Sequence, residues 1–206
     1  MLSNVPVHFS VLVNIGLAFI PFALAYILFK RPLVKNERPH FLIWWLGVGV
    51  FILFLPNSAY TLTDIIHYFA AVKSPDISAL QLWLVLTPLY LVYFVVNFEF
   101  YVVAINWGRE YFSSNLSERQ LNILTVALQA LVALGVYLGR FQRLESYDII
   151  NKPMIIIQDI FKDLTTLKSL MVIAGLFLFY WVFYSLFTYL NTVIAKRLHH
   201  RSTFAV

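Results

Sequence analysis

Apolar residues in this chain come in long runs, and the polar positions gather at the breaks between them. A helix needs about 20 apolar residues to cross roughly 30 Å of hydrocarbon. Five runs approach or meet that length, at residues 7–29, 41–57, 80–104, 121–139 and 168–190. They predict an all-α, polytopic integral membrane protein, with residues 1–206 forming a single membrane domain. The second run is the short one. Its uninterrupted apolar part, Phe41 to Leu55, covers only about 22 Å of helix axis. Either the bilayer thins there, or the helix continues past Pro56 and carries Asn57 and Tyr60 below the headgroups.

A different pattern separates the fourth and fifth runs. Pro153 can open a helix, and MIIIQDIFKDLTTL after it places Ile157, Ile160, Phe161, Leu164 and Leu167 on one face. Gln158, Asp159, Lys162 and Asp163 fall on the other. The expectation is an amphipathic helix over residues 153–167 that lies in the interface rather than spanning it.

Composition strengthens the membrane reading. Of 206 residues, 61% are hydrophobic and 12% charged, against roughly a quarter charged in soluble domains. Mean hydropathy is +0.78. The net charge of +5 sits in short segments between runs, where it orients helices and meets anionic lipid, so nucleic acid is not an expected partner. Cysteine is absent, which excludes disulfides, thiolate metal sites and a cysteine nucleophile. Ala23-Leu24-Ala25 has the look of a signal-peptide cleavage site, but no Lys or Arg precedes the first run and Lys30-Arg31 follow it at once. That charge order predicts a retained first helix.

Basic residues also predict orientation. One set of segments holds Lys30, Arg31, Lys35, Arg38, Arg109, Arg119, Lys196, Arg197 and Arg201; the other holds Lys73, Arg140, Arg143, Lys152, Lys162 and Lys168. The bias favours a cell (inner) membrane protein with its N-terminus outside and its C-terminus in the cytoplasm.

Two polar constellations carry the candidate chemistry. In LPNSAYTLTDIIH, residues 55–67, Asn57, Tyr60, Asp64 and His67 would share one helix face, with Thr63 beside them. Asp64 and His67 together are competent for proton transfer or metal ligation. Thr61-x-x-Asp64 also has capping-box spacing, so a second reading makes Thr61 the start of a new helix with Asp64 near its positive end. In YLGRFQRLESYD, residues 137–148, Arg140 and Arg143 lie three apart and suit a carboxylate or phosphate. They could equally snorkel to lipid phosphates or pair with Glu145 and Asp148. Gly135-x-x-x-Gly139, just before, admits close approach of another helix. Two spans separate the constellations, so both emerge on the same side of the membrane. Asp64 and His67 could meet Arg140 and Arg143 in one cleft, either as a site or as an ion pair that locks two helices.

Single polar residues inside the runs carry smaller expectations. Glu99, with Asn97, is expected near the inner interface, snorkelling or bonded to another helix, and Gln129 is expected to bond to a neighbouring helix. His8 falls on the same side as His67, and His199 and His200 belong to a basic tail at the membrane surface. No Gly-rich phosphate loop, Ser/His/Asp order or zinc-protease helix is present.

The two segments resemble the signature segments of a family of uncharacterised bacterial membrane proteins, domain of unknown function 1361. Pro56, Asn57, Tyr60, Thr63, Asp64 and His67 match the first; Gly139, Arg140, Arg143, Ser146 and Asp148 match the second. The chain departs at Ala59, Leu144-Glu145 and Tyr147, where Pro, Trp-Asn and a second Trp are common. The resemblance covers nearly the whole chain and implies a multi-pass membrane fold without an assigned activity.

Two functions remain open on this reading. One is a non-catalytic module that binds a lipid headgroup, a small anion or a membrane protein partner through Asn57, Tyr60, Thr63, Asp64, His67, Arg140, Arg143 and Asp148. The other is an intramembrane enzyme on a lipid-like substrate, with Asp64 and His67 as acid and base. Neither metal nor cofactor is expected.

Overall fold

The computed structural model describes residues 7–31, 41–75, 77–141 and 165–203, with positions 154, 158, 161 and 162; the side chains of 7–12, 41, 67 and 199–203 fall outside that description. Helix α1 (Val7–Ala25) ends in a π-helical turn, Tyr26–Lys30. Helix α2 (Phe41–Tyr60) passes through a 3-10 turn, Thr61–Asp64, into α3 (Ile65–Val72). A short α4 (Ala79–Gln81) and a π-helical turn, Leu82–Leu86, lead into α5 (Thr87–Phe112). Helices α6 (Glu118–Phe141) and α7 (Leu167–Thr203) complete the described chain. Five stretches are long and apolar enough to span a membrane: Val13–Lys30, Leu42–Val72, Ala79–Phe112, Glu118–Phe141 and Leu167–Leu198. No strand occurs among the described residues.

Local chemistry explains several boundaries. Ser78 and Gln81 form a capping box: the Gln81 amide donates to Ser78 Oγ (3.3 Å) and the Ser78 amide donates to Gln81 Oε1 (3.1 Å). Ser117 and Gln120 repeat the arrangement at the start of α6 (3.4 and 2.9 Å). Of the two possibilities at the short second run, the helix continues past Pro56 to Tyr60. Pro56 removes one backbone donor from the helix interior. Its ring is accommodated by α6, because a Cβ on Gly135 would lie 2.6 Å from Pro56 Cγ. The close helix approach expected at Gly135 is therefore made with Pro56.

The inside of the bundle is marked by small and polar residues rather than by greater hydrophobicity. Ala18, Ala25, Ser58, Ala59, Asn97, Ala104, Gln129 and Ala133 are almost wholly buried, while Leu42, Leu84, Leu91, Ile123 and Leu178 stand exposed. This is the expected inversion when the surroundings are as apolar as leucine and helix contact is driven by close packing and hydrogen bonds. Helix α1 packs on α2 and α5, α6 packs on α2 and α7, and α5 touches α1, α2, α6 and α7. Phe29, Phe51, Leu55, Phe98, Tyr101 and Tyr180 anchor the shared core.

Ion pairs mark two ends of the bundle. Lys30 pairs with Glu110 (2.9 Å) and Arg109 with Glu118 (3.3 Å) at one; Asp64 pairs with Arg140 (3.3 Å) at the other. From Lys30 to Asn14, which joins the second group, α1 rises roughly 24 Å. Glu99 belongs to neither end. Because α5 runs on to Phe112, Glu99 lies about 15 Å along the helix from Arg109. It accepts a hydrogen bond from Asn191 of α7. The amphipathic segment expected at 153–167 lies mostly outside the described residues; Met154, Phe161 and Leu167 are exposed.

Candidate functional site

The site begins with a change of helical pitch. A 3-10 helix turns 3.0 residues per revolution instead of 3.6, so Thr61–Asp64 gains about 80° of rotation over an unbroken α-helix. Asp64 is thereby taken off the face of Asn57 and turned inward. Asn57 stays partly exposed and makes no side-chain hydrogen bond among the described residues, whereas Asp64 is only 5% exposed. Hydroxyls satisfy carbonyls around the tightened turn: Thr61 Oγ1 donates to Ser58 O (2.9 Å) and Thr63 Oγ1 to Tyr60 O (2.6 Å). Ser58 Oγ donates to Ala18 O of α1 (2.7 Å). A 3-10 turn does begin at Thr61 with Asp64 in its first turn, as the capping-box reading expects, but the box's side-chain bonds are not made. A side-chain N-cap normally sits on extended backbone, and Tyr60 (φ −54, ψ −33) and Asp64 (φ −70, ψ −4) are both helical without a cap bond.

Freed from capping, the Asp64 carboxylate reaches across the bundle. Oδ2 accepts from Asn14 Nδ2 (3.0 Å) on α1 and from the Tyr93 hydroxyl (2.9 Å) on α5. Oδ1 accepts from Arg140 Nη1 (3.3 Å) on α6. That same nitrogen donates to the Tyr60 hydroxyl (2.7 Å), and Arg140 Nη2 donates to the Thr63 carbonyl (2.9 Å). The guanidinium carbon also lies 5.1 Å from the centre of the Tyr60 ring, a cation–π contact. Arg140 occupies the last turn of α6, where the helix dipole favours a cation. Charge and hydrogen-bond partners offset much of the desolvation that would otherwise make either ion costly at this depth.

The guanidinium is not fully used. Of the five N–H donors an arginine carries, three have acceptors, and two have none among the described residues. Its side chain keeps 17% exposure, against 7% for that of Asp64. An open edge of a fixed guanidinium can take an oxyanion through paired N–H bonds.

The structure therefore brings Tyr60, Thr63, Asp64 and Arg140 together and leaves Asn57 aside. The His67 side chain, Arg143 and Asp148 lie outside the described residues. Among the described residues, no group of three or more His, Asp and Glu is placed to hold a metal ion. Two participants escaped sequence reasoning. Asn14 had a usable signal, an amide set in VLVNIGL; Tyr93 had none that distinguished it from the other tyrosines of a chain with 12.

Set beside known proteins, residues 13–196 match a family model described as a protein of unknown function, DUF1361. No curated protein and no solved structure matches the chain.

Proposed function

The chain belongs to this family of unknown function, and from that premise we propose that it is a non-catalytic membrane module whose Tyr60–Asp64–Arg140 cleft binds an anionic group. The ligand is the phosphate of a lipid headgroup or a small free oxyanion. One observation carries the reading: a guanidinium held by Tyr60, Asp64 and Thr63 that still has two N–H donors unclaimed among the described residues. Such placement lowers the ordering cost of binding, and paired N–H donors match a phosphate edge. In sequence, Arg143 follows three residues on and would add a second cation at the same end.

Acid–base chemistry at Asp64 is less well supported. A general base must reach the proton that it takes, and Asp64 is buried with both oxygens engaged by Asn14, Tyr93 and Arg140. The distribution of basic residues further supports a cell-membrane location with the N-terminus outside, which puts the cleft on the outer face.

The test compares the purified protein with its Arg140→Lys and Arg140→Gln variants, each verified as folded by helical circular dichroism and size exclusion. Retention of phosphatidylglycerol and of phosphatidylcholine is read by native mass spectrometry, with inorganic phosphate as competitor. Loss of paired charge-assisted bonds is expected to weaken binding of the anionic lipid about 10- to 100-fold in Arg140→Gln, and less in Arg140→Lys. Competition by phosphate would identify a free oxyanion as ligand, and its absence a headgroup. Equal retention by all three proteins would overturn the proposal.

A further inference from the structure

Glu99 stands inside the span Ala79–Phe112, away from both charged ends of the bundle. Along α5 it lies roughly 9 Å from Tyr93, which bonds to Asp64, and roughly 15 Å from Arg109. Its face of the helix is turned outward. Val95 and Val96, one turn before it, and Val92, a further turn back, stand exposed, and Glu99 itself is half-buried. Asn97 and Phe98, its neighbours in sequence, are buried instead.

Helix α7 supplies the polar company on this side of α5. Asn191 donates to Glu99 Oε1. Two turns further along α5, the Tyr184 hydroxyl donates to Asn106 Oδ1 (2.8 Å), and Asn106 Nδ2 donates to Thr188 Oγ1 (3.4 Å). Together these bonds make a polar seam between α5 and α7. No ion pair reaches Glu99 among the described residues.

The contrast with Asp64 is instructive. Asp64 has a guanidinium and two further donors, a set that lets a carboxylate stay ionised at depth. Glu99 has one neutral amide and sits among exposed valines. A bare carboxylate is heavily disfavoured there, whereas the acid form carries no charge and still offers Asn191 an acceptor. We propose that Glu99 is a proton-binding site on the lipid-facing seam between α5 and α7. It stands apart from anion binding at Arg140, because it lies on a different helix pair and its test needs no anionic ligand.

Infrared difference spectra of the native protein against Glu99→Gln, both in phosphatidylcholine vesicles at pH 7, read the proton directly. The native protein is expected to show the carbonyl stretch of one un-ionised carboxylic acid that the variant lacks. Glutamine keeps an acceptor for Asn191, so the variant should melt within a few degrees of the native protein. Dicyclohexylcarbodiimide, an apolar reagent that reacts with the acid form, reads access from the lipid. The carboxyl proton passes to a reagent nitrogen, the carboxyl oxygen bonds to the central carbon, and the adduct rearranges to a stable N-acylurea. A glutamate in water keeps its proton in about one molecule in 500 at pH 7, so Glu99 should be modified about 100-fold faster than the exposed Glu110 or Glu118. Carboxylate bands in place of the acid band would overturn the proposal, as would modification of Glu99 no faster than that of Glu110.

Discussion

Asp64 ties together four spans with two oxygen atoms, and that is more than an ion pair does. Asn14 and Tyr93 share Oδ2 while Arg140 takes Oδ1, so α1, α5 and α6 are each fastened to the end of α2. Substitution Asp64→Asn keeps an acceptor for Asn14 or Tyr93 but leaves the guanidinium without its counter-charge. It is expected to cost about 3 kcal/mol, the lower end for breaking a buried pair, because Arg140 retains some exposure. Unfolding in detergent would measure it. The double variant Asp64→Asn/Arg140→Gln should lose less than the two single losses added together; strict additivity would mean that the two side chains are not coupled. At this scale the sequence was informative where a residue was out of place in its surroundings. A carboxylate and a guanidinium bordering apolar runs announce themselves. A tyrosine does not, because it suits a core, an interface or a hydrogen bond equally well, and Tyr93 was found only through its partner.

Among the elements, the contact of α2 with α6 sets the geometry of the cleft. Gly135 leaves room for the Pro56 ring, and Arg140 meets Tyr60 about one turn further along both helices. Gly135→Ala would place a methyl group 2.6 Å from Pro56 Cγ and push the two helices apart. Overpacking of this kind costs about 1–3 kcal/mol. The same variant should weaken whatever binds at Arg140, since Tyr60 and Asp64 would withdraw from it. Pro56→Ala in that background should restore much of both, and failure to restore either would show that the ring is not the obstacle. Helix existence was legible because an apolar run of span length admits few other structures. The pitch change at Thr61–Asp64 was not: 3-10 and α-helix accept the same residues, and TLTD read as naturally as a cap. The serine–glutamine boxes at Ser78 and Ser117 were legible in principle from their spacing.

Across the whole molecule, polar groups are sorted into two end groups and a sparse interior row. The sorting follows from chain direction. Helices α1 and α5 run one way, α2 and α6 the other, and residues bonded across them fall at matching levels: Lys30 with Glu110, Asn14 with Asp64, Tyr60 with Arg140. The loop holding Lys73 and the loop holding Ser114 therefore lie at opposite ends. Because the native chain has no cysteine, single replacements Lys73→Cys and Ser114→Cys give clean reporters. With the N-terminus outside, an impermeant maleimide should label position 73 in intact cells and position 114 only after permeabilisation. The reverse pattern would invert the orientation, and labelling of both from one side would contradict the fold itself. The apolar runs made the alternation of the loops between two ends readable; the interior row depended on which faces meet, and a linear pattern does not carry that.

Asp64 and Arg140 are separated by 76 positions in the chain. During synthesis at about 5–20 residues per second, the carboxylate would wait roughly 4–15 s for its guanidinium to emerge. Through that interval the second span must rest in the insertion machinery or keep Asp64 near water, since a lone ion in lipid is heavily disfavoured. A chain interrupted before the fourth span would therefore carry an unanswered negative charge at the bilayer edge. The ion pair thus reports that the fourth span has reached the second, before the fifth is in place.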